Sequence, residues 1–198
     1  MNTLERYDLQ PGDALLVTDV QNDFLSGGSL AVTDGDEVVP VLNRYIDIFV
    51  TRNLSVFATR DWHPAHHCSF RAQGGPWPPH CIAGTHGAEF AAALRLPLSA
   101  VIISKATTPE HDAYSSFLRT DMDRQLRDAG IRRIFIGGLT TDYCVLNTTR
   151  DALQLGYQVF VLIDAIRAVD VHPGDGQRAV EEMIALGAKC ISLQKLAA

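Results

Sequence analysis

The chain has 198 residues, 46% of them hydrophobic and 20% charged, which suits one soluble domain with a substantial core. A formal net charge of −6 disfavours nucleic-acid binding, and no apolar run approaches the ~20 residues of a membrane span. The opening segment MNTLERYDLQPGD lacks the apolar core of a signal peptide, and the four cysteines are scattered, so a cytoplasmic protein with free thiols is expected.

The first apolar run, ALLVTDV (14–20), predicts a strand, and its unbroken apolar character predicts burial on both faces. Asp19 sits at its carboxyl end, where burial raises a carboxyl pKa and suits it to act as a general base; Asp23 reads instead as a turn or cap aspartate. DEVVPVLNRYIDIFVTRN then spaces Val39, Leu42, Ile46 and Phe49 by threes and fours, predicting a helix. The next strand, LSVFATR (54–60), delivers a stretch over 61–99 with little periodicity that holds five of the seven histidines. A loop this long is functional or disordered, and its Trp, Phe and Cys content argues against disorder. Asp61 and His63, one residue apart on an extended strand end, can share a face. With His80 they can form a set of two histidines and one carboxylate that leaves positions open for water or substrate. His66, His67 and His86 then fall outside the ligand set, His67 being the nearest to joining it.

AVIIS (100–104) predicts a third strand, and the lone Lys105 directly after it is the candidate cation. DMDRQLRDAG predicts a helix ending at Gly130, RIFIGG (133–138) a strand, and TDYCVLNTTRDALQLG a helix ending at Gly156. Thr141 as N-cap would put Cys144 in the first helical turn, where unpaired N–H groups favour a thiolate nucleophile. Cys68, Cys81 and Cys190 read as structural thiols. QVFVLID (158–164), GQRAVEEMIALG and KCISL (189–193) complete the alternation. The pattern predicts an α/β fold: a three-layer αβα single domain over 1–198, with a mostly parallel six-stranded sheet and helices on both faces. Ligands in such folds bind beyond the carboxyl ends of the strands, where Asp19, the 61–99 loop, Lys105 and Cys144 all fall.

DVQNDF, RDWHPAHHCSF, WPPHC, the lysine of SKATTPEHDAYSSF, and GGLTTDYCV together resemble the nicotinamidase/pyrazinamidase branch of the isochorismatase-like cysteine hydrolases. The resemblance runs in order from about residue 12 to 165 and continues more weakly to the end. It implies a triad of Cys144, Asp19 and Lys105, and metal ligands at Asp61, His63 and His80 for one divalent ion, zinc foremost, with iron and manganese as alternatives. It also implies an aromatic clamp from Phe24 and Trp77. A cis peptide before Thr140 would let the N–H groups of Thr140 and Cys144 form an oxyanion hole. Some relatives carry a further ligand two positions beyond His67; here that residue is Ser69. The implied reaction is hydrolysis of nicotinamide, and of pyrazinamide, to the acid and ammonia through a Cys144 thioester. In it the metal binds the ring nitrogen, and a homo-oligomer would be unsurprising. Beside it stand another amide or carbamoyl hydrolase of the same superfamily and a metal-hydroxide hydrolase with a structural Cys144. A metal-storing or redox-sensing module is disfavoured by the lack of a CxxC pair.

Overall fold

A computed structural model describes residues 6–196; the start of the N-terminal segment read above for a signal peptide lies outside them. Among the described residues six strands form one sheet: β1 (Asp13–Thr18), β2 (Ser55–Asp61), β3 (Val101–Lys105), β4 (Arg133–Leu139), β5 (Gln158–Arg167) and β6 (Lys189–Ile191). Their order across the sheet is β3-β2-β1-β4-β5-β6 and every pairing is parallel. The continuous apolar runs are thus explained: β1 is buried along its whole length because both faces are covered.

Alternate residues of β1 serve two cores. Leu15 and Val17 face α1 (Val38–Thr51), whose Val39, Leu42, Ile46 and Phe49 are all buried, as their spacing predicts. Ala14 and Leu16 face the other layer. It is built from α2 (Met122–Asp128), α3 (Leu146–Gln154) and α4 (Asp175–Ala185), through Met122, Leu126, Leu146, Ala152, Ala179 and Met183. Stacking of Phe135 on Phe160, with ring centroids 4.6 Å apart, joins β4 to β5 under α1. The α1 layer is completed by loop residues, among them Phe24, Leu25, Val32, Ala88, Ala91 and Leu94. Among the described residues no helix is long and apolar enough to cross a membrane.

The strand order reverses between β1 and β4. β1 runs on to β2 and β3 on one side, whereas β4, β5 and β6 grow outward on the other. At such a switch point the connections leave the sheet in opposite directions and open a crevice at the carboxyl edge. Gly138 permits the approach of the two central strands there. It has φ +123°, and a Cβ on it would lie 2.1 Å from the Thr18 carbonyl oxygen. The residues following β1 and β4 are Asp19 and the segment that carries Cys144.

Candidate active site

β1 ends at Thr18, and the chain turns out of the sheet at Asp19, which has φ 49°. The Asp19 N–H still donates to the Thr59 carbonyl (3.1 Å), and the Thr59 hydroxyl donates to Asp19 Oδ1 (2.7 Å), so the carboxylate is fixed from β2. Lys105 ends β3 in register with Asp61 of β2, which puts their side chains side by side. The Lys105 ammonium pairs closely with Asp61, lies 3.0 Å from Asp19 Oδ2, and donates to the Ala113 carbonyl at 3.1 Å. It is also 3.5 Å from the Cys144 sulfur. Asp19, Asp61 and Cys144 bring their ligand-type atoms within 4.8 Å of one another, so one buried ammonium serves three anionic or potentially anionic groups. Asp19 Oδ2 has the Lys105 ammonium and the Cys144 thiol as polar neighbours, which leaves a lone pair for that thiol's proton.

Burial pushes the Asp19 carboxyl up from the usual carboxylate range, more than the nearby Lys105 charge pulls it down. At Asp61 burial also pushes upward, but Lys105 and the His63 imidazole override it and hold the carboxyl low. Lys105 loses hydration in the interior, yet its two carboxylates keep it firmly an ammonium. Two expectations for Cys144 are corrected. Burial pushes its thiol up, against the pull of Lys105, so a helix terminus does not leave it a resting thiolate. The helix also starts differently: a π-helical turn over Thr141–Val145 precedes α3, with Thr140 as the cap residue and no side-chain cap hydrogen bond. Asp142 is used elsewhere, accepting from the N–H groups of Val169 (3.0 Å) and Asp170 (2.9 Å).

The 61–99 loop is pinned by backbone hydrogen bonds. The His63 N–H donates to Cys81 O (3.0 Å) and the Ala83 N–H to His63 O (2.8 Å), which lays the His80 segment alongside the end of β2. Asp61, His63 and His80 offer ligand atoms within 4.8 Å of one another, all buried. His80 Nδ1 donates to the Pro78 carbonyl (2.8 Å), which leaves its Nε2 as the free ligand atom, and His63 Nδ1 lies 3.3 Å from the Ala106 carbonyl. Among the described residues His63 Nε2 is buried without a hydrogen-bond partner, and burial pushes the His80 imidazole pKa down, favouring the neutral form that ligates a metal. Two imidazoles, one carboxylate and an orphaned buried nitrogen fit a divalent ion. His67 stacks on His63 with centroids 4.2 Å apart, but both its nitrogens are engaged, by the Ser69 hydroxyl (2.7 Å) and the His111 carbonyl (3.1 Å). It supports the cluster and does not join it; His66 and His86 are exposed.

Phe24 and Trp77 line one small cavity with Asp61, His80, Thr140 and Cys144. Trp77 Nε1 donates to the Tyr114 hydroxyl (3.0 Å), and the Trp77 ring meets Tyr143 edge-on at 5.0 Å. Leu30, Tyr114, Tyr143 and Val169 complete the lining. Tyr143 was recoverable from its place beside Cys144, whereas Leu30 and Val169 carry no local signal. The peptide before Thr140 is cis, as the resemblance implies. A larger surface cavity of about 510 Å³ lies behind the Asn22–Gly28 segment, lined by Ser26, Asp36 and His86. It contains none of the buried ionisable groups, so the aromatic cavity is the candidate site.

An isochorismatase domain is matched over residues 13–195. A nicotinamidase of Escherichia coli (strain K12) is 41% identical over 204 residues, covering 92% of this chain and 96% of that protein. The pyrazinamidase of Pyrococcus horikoshii, solved in complex with zinc, has a TM-score of 0.89 at 48% identity, covering 92% of this chain and 100% of that one. A protein of L. infantum solved in complex with nicotinate also gives a TM-score of 0.89, at 33% identity, covering 98% of this chain and 99% of that one.

Proposed function

The chain belongs to the isochorismatase family, and from that premise we propose that it is a nicotinamidase, one hydrolase domain that converts nicotinamide to nicotinate and ammonia. The observation that carries this reading is a thiol on the wall of an aromatic cavity, backed by a raised carboxyl and a buried ammonium and set beside Asp61, His63 and His80. A flat heteroaromatic ring suits walls made of Phe24, Trp77, Tyr114 and Tyr143 better than a polar, non-aromatic carbamoyl compound would. Pyrazinamide, with a ring of the same size, is a proposed second substrate.

Asp19 takes the Cys144 proton; burial raises its pKa and so makes it a better proton acceptor than an exposed carboxylate. Lys105 holds the carboxylate and stabilises negative charge as it passes to sulfur. The thiolate adds to the carboxamide carbon, and the oxygen that becomes anionic is proposed to meet the N–H groups of Thr140 and Cys144, one such donor typically contributing ~2.7–4 kcal/mol. Asp19 returns the proton to nitrogen, the C–N bond breaks, and ammonia leaves a thioester on Cys144. A water then gives a proton to Asp19 and adds its hydroxide to the thioester; the C–S bond breaks, Asp19 passes its proton to the Cys144 sulfur, and the acid departs as nicotinate with its own proton lost to solvent. Held by Asp61, His63 and His80, a divalent ion, for which we propose zinc, would supply a Lewis-acidic partner for the pyridine nitrogen. The contacts of Cys144 with Lys105 speak against a purely structural thiol. Four unpaired cysteines suit a reducing compartment, so we place the reaction in the cytoplasm.

The test is turnover of nicotinamide by the purified protein, with metal content measured on the same sample. Ammonia and nicotinate in equal amounts, with about one equivalent of metal, support the reading. No turnover of nicotinamide or pyrazinamide by metal-loaded protein would overturn it.

A further inference from the structure

We propose that Gln21 is a positioning residue whose buried side-chain amide holds the backbone of Asp61, aiming its carboxylate at the His63–His80 pair and at Lys105. The inference rests on the metal reading above and concerns how this chain builds the site.

The reason lies in the departure of β1 from the sheet. The β1–β2 ladder ends at Thr18 and Thr59, with one last bond from the Asp19 N–H. Asp61, two residues further along β2, still pairs with β3 on one side, where the Trp62 N–H donates to Lys105 O at 3.1 Å. On the other side its strand neighbour has gone, because Asp19 turns away to reach the thiol. A buried backbone N–H and carbonyl left unpaired there would be costly. Gln21 replaces the missing strand. Its Oε1 accepts from the Asp61 N–H (2.8 Å) and its Nε2 donates to the Asp61 carbonyl (2.8 Å), so one side-chain amide satisfies both backbone groups that a continuing β1 would have paired. The second Nε2 proton goes to the Ala88 carbonyl (2.9 Å), tying the far end of the histidine loop to the same point. The side chain is wholly buried and both its oxygen and nitrogen are used.

One residue therefore solves two problems created by Asp19. It lets β1 end early enough to supply the base, and it keeps Asp61 on the β2 line, from which its carboxylate reaches both the histidines and Lys105. Residues that orient metal ligands typically change affinity by about 10–100-fold when lost.

The test compares Gln21→Leu, which removes all three hydrogen bonds, and Gln21→Glu, which keeps an acceptor for the Asp61 N–H but loses the donors. Tyr45→Phe serves as a remote control, since it removes a half-buried bond from Tyr45 to Asp164 (2.8 Å). Zinc affinity is read by competition with a chromogenic chelator, and the visible ligand-field spectrum is read on cobalt(II)-loaded protein. We expect zinc affinity to fall by ~10-fold or more in the Gln21 variants, with altered cobalt bands, while Tyr45→Phe matches the wild type. Should Gln21→Leu lose its cooperative melt, Gln21→Glu carries the test. Wild-type affinity and spectrum in a folded Gln21 variant, or an equal loss in Tyr45→Phe, would overturn the assignment. If the wild type itself takes up no zinc, the metal reading fails and this inference with it; zinc uptake with unchanged variants counts against Gln21 alone.

Discussion

Replacing Lys105 by Met tests whether one ammonium holds the site together. The substitution keeps most of the side-chain volume but leaves Asp19 and Asp61 facing each other in the interior with no cation between them. Removing one partner of a buried ion pair costs about 3–5 kcal/mol, because the other charge stays buried and uncompensated. For a chain of this size each kcal/mol lowers Tm by about 2–4 °C, so metal-free Lys105→Met should melt roughly 6–20 °C below metal-free wild type near neutral pH. The difference should depend on pH in a defined direction. In the wild type Asp61 lies below the usual carboxylate range, so its stabilising contribution persists above its unfolded pKa and is lost only as pH falls through the lower folded one. In the variant, with Lys105 gone and burial unchanged, both folded carboxyl pKa values should lie above the unfolded values. These groups destabilise while ionised, and the cost shrinks as pH falls toward the raised pKa. The gap in Tm should therefore narrow between about pH 7.5 and about pH 5. Calorimetry on both proteins at the two pH values reads it. A variant melting within a degree or two of wild type at pH 7.5, or a gap that does not change with pH, would refute the reasoning.

Three further outcomes follow from the same geometry. Cys144→Ala should lower kcat by ~10⁴-fold or more in a steady-state ammonia assay while leaving metal content unchanged, since the sulfur belongs to the nucleophile and not to the ligand set. Asp19→Asn should cost ~10⁴-fold. In the wild type, kcat/KM should fall as pH drops through the raised Asp19 pKa, with the acid limb above the ordinary carboxylate range, and the variant should lose that limb. Chelation, or His80→Ala, should lower kcat/KM for nicotinamide by ~10²-fold or more through misplacement of the amide, yet leave Cys144 open to a small alkylating reagent. Benzamide, which lacks the ring nitrogen, should be a poor substrate that loses little more on chelation.

The site residues that carry charge or ligate metals were legible because their chemistry is local. An acid at the end of a buried strand, a lone lysine after another and a histidine-dense loop each stand out against their surroundings. The strand order was not legible. Nothing in ALLVTDV or RIFIGG shows that these two runs are central neighbours, and only their pairing makes Asp19 and Cys144 face each other across a switch point. The raised pKa of the Cys144 thiol has no local signal for a related reason: position in a helix is local, whereas burial is set by strands that meet only in the folded sheet. Gln21 shows the limit most clearly. Its neighbours Asp19 and Phe24 signal chemistry by residue type, but a glutamine acquires its role only through a backbone partner 40 residues away.

The most direct test of the central claim is mass spectrometry on enzyme quenched in acid during turnover of nicotinamide. The account predicts a nicotinoyl group on the peptide containing Cys144, present during turnover, gone once substrate is exhausted, and absent in Cys144→Ala. Steady production of nicotinate and ammonia with Cys144 unmodified throughout, and with Cys144→Ala still active, would contradict it.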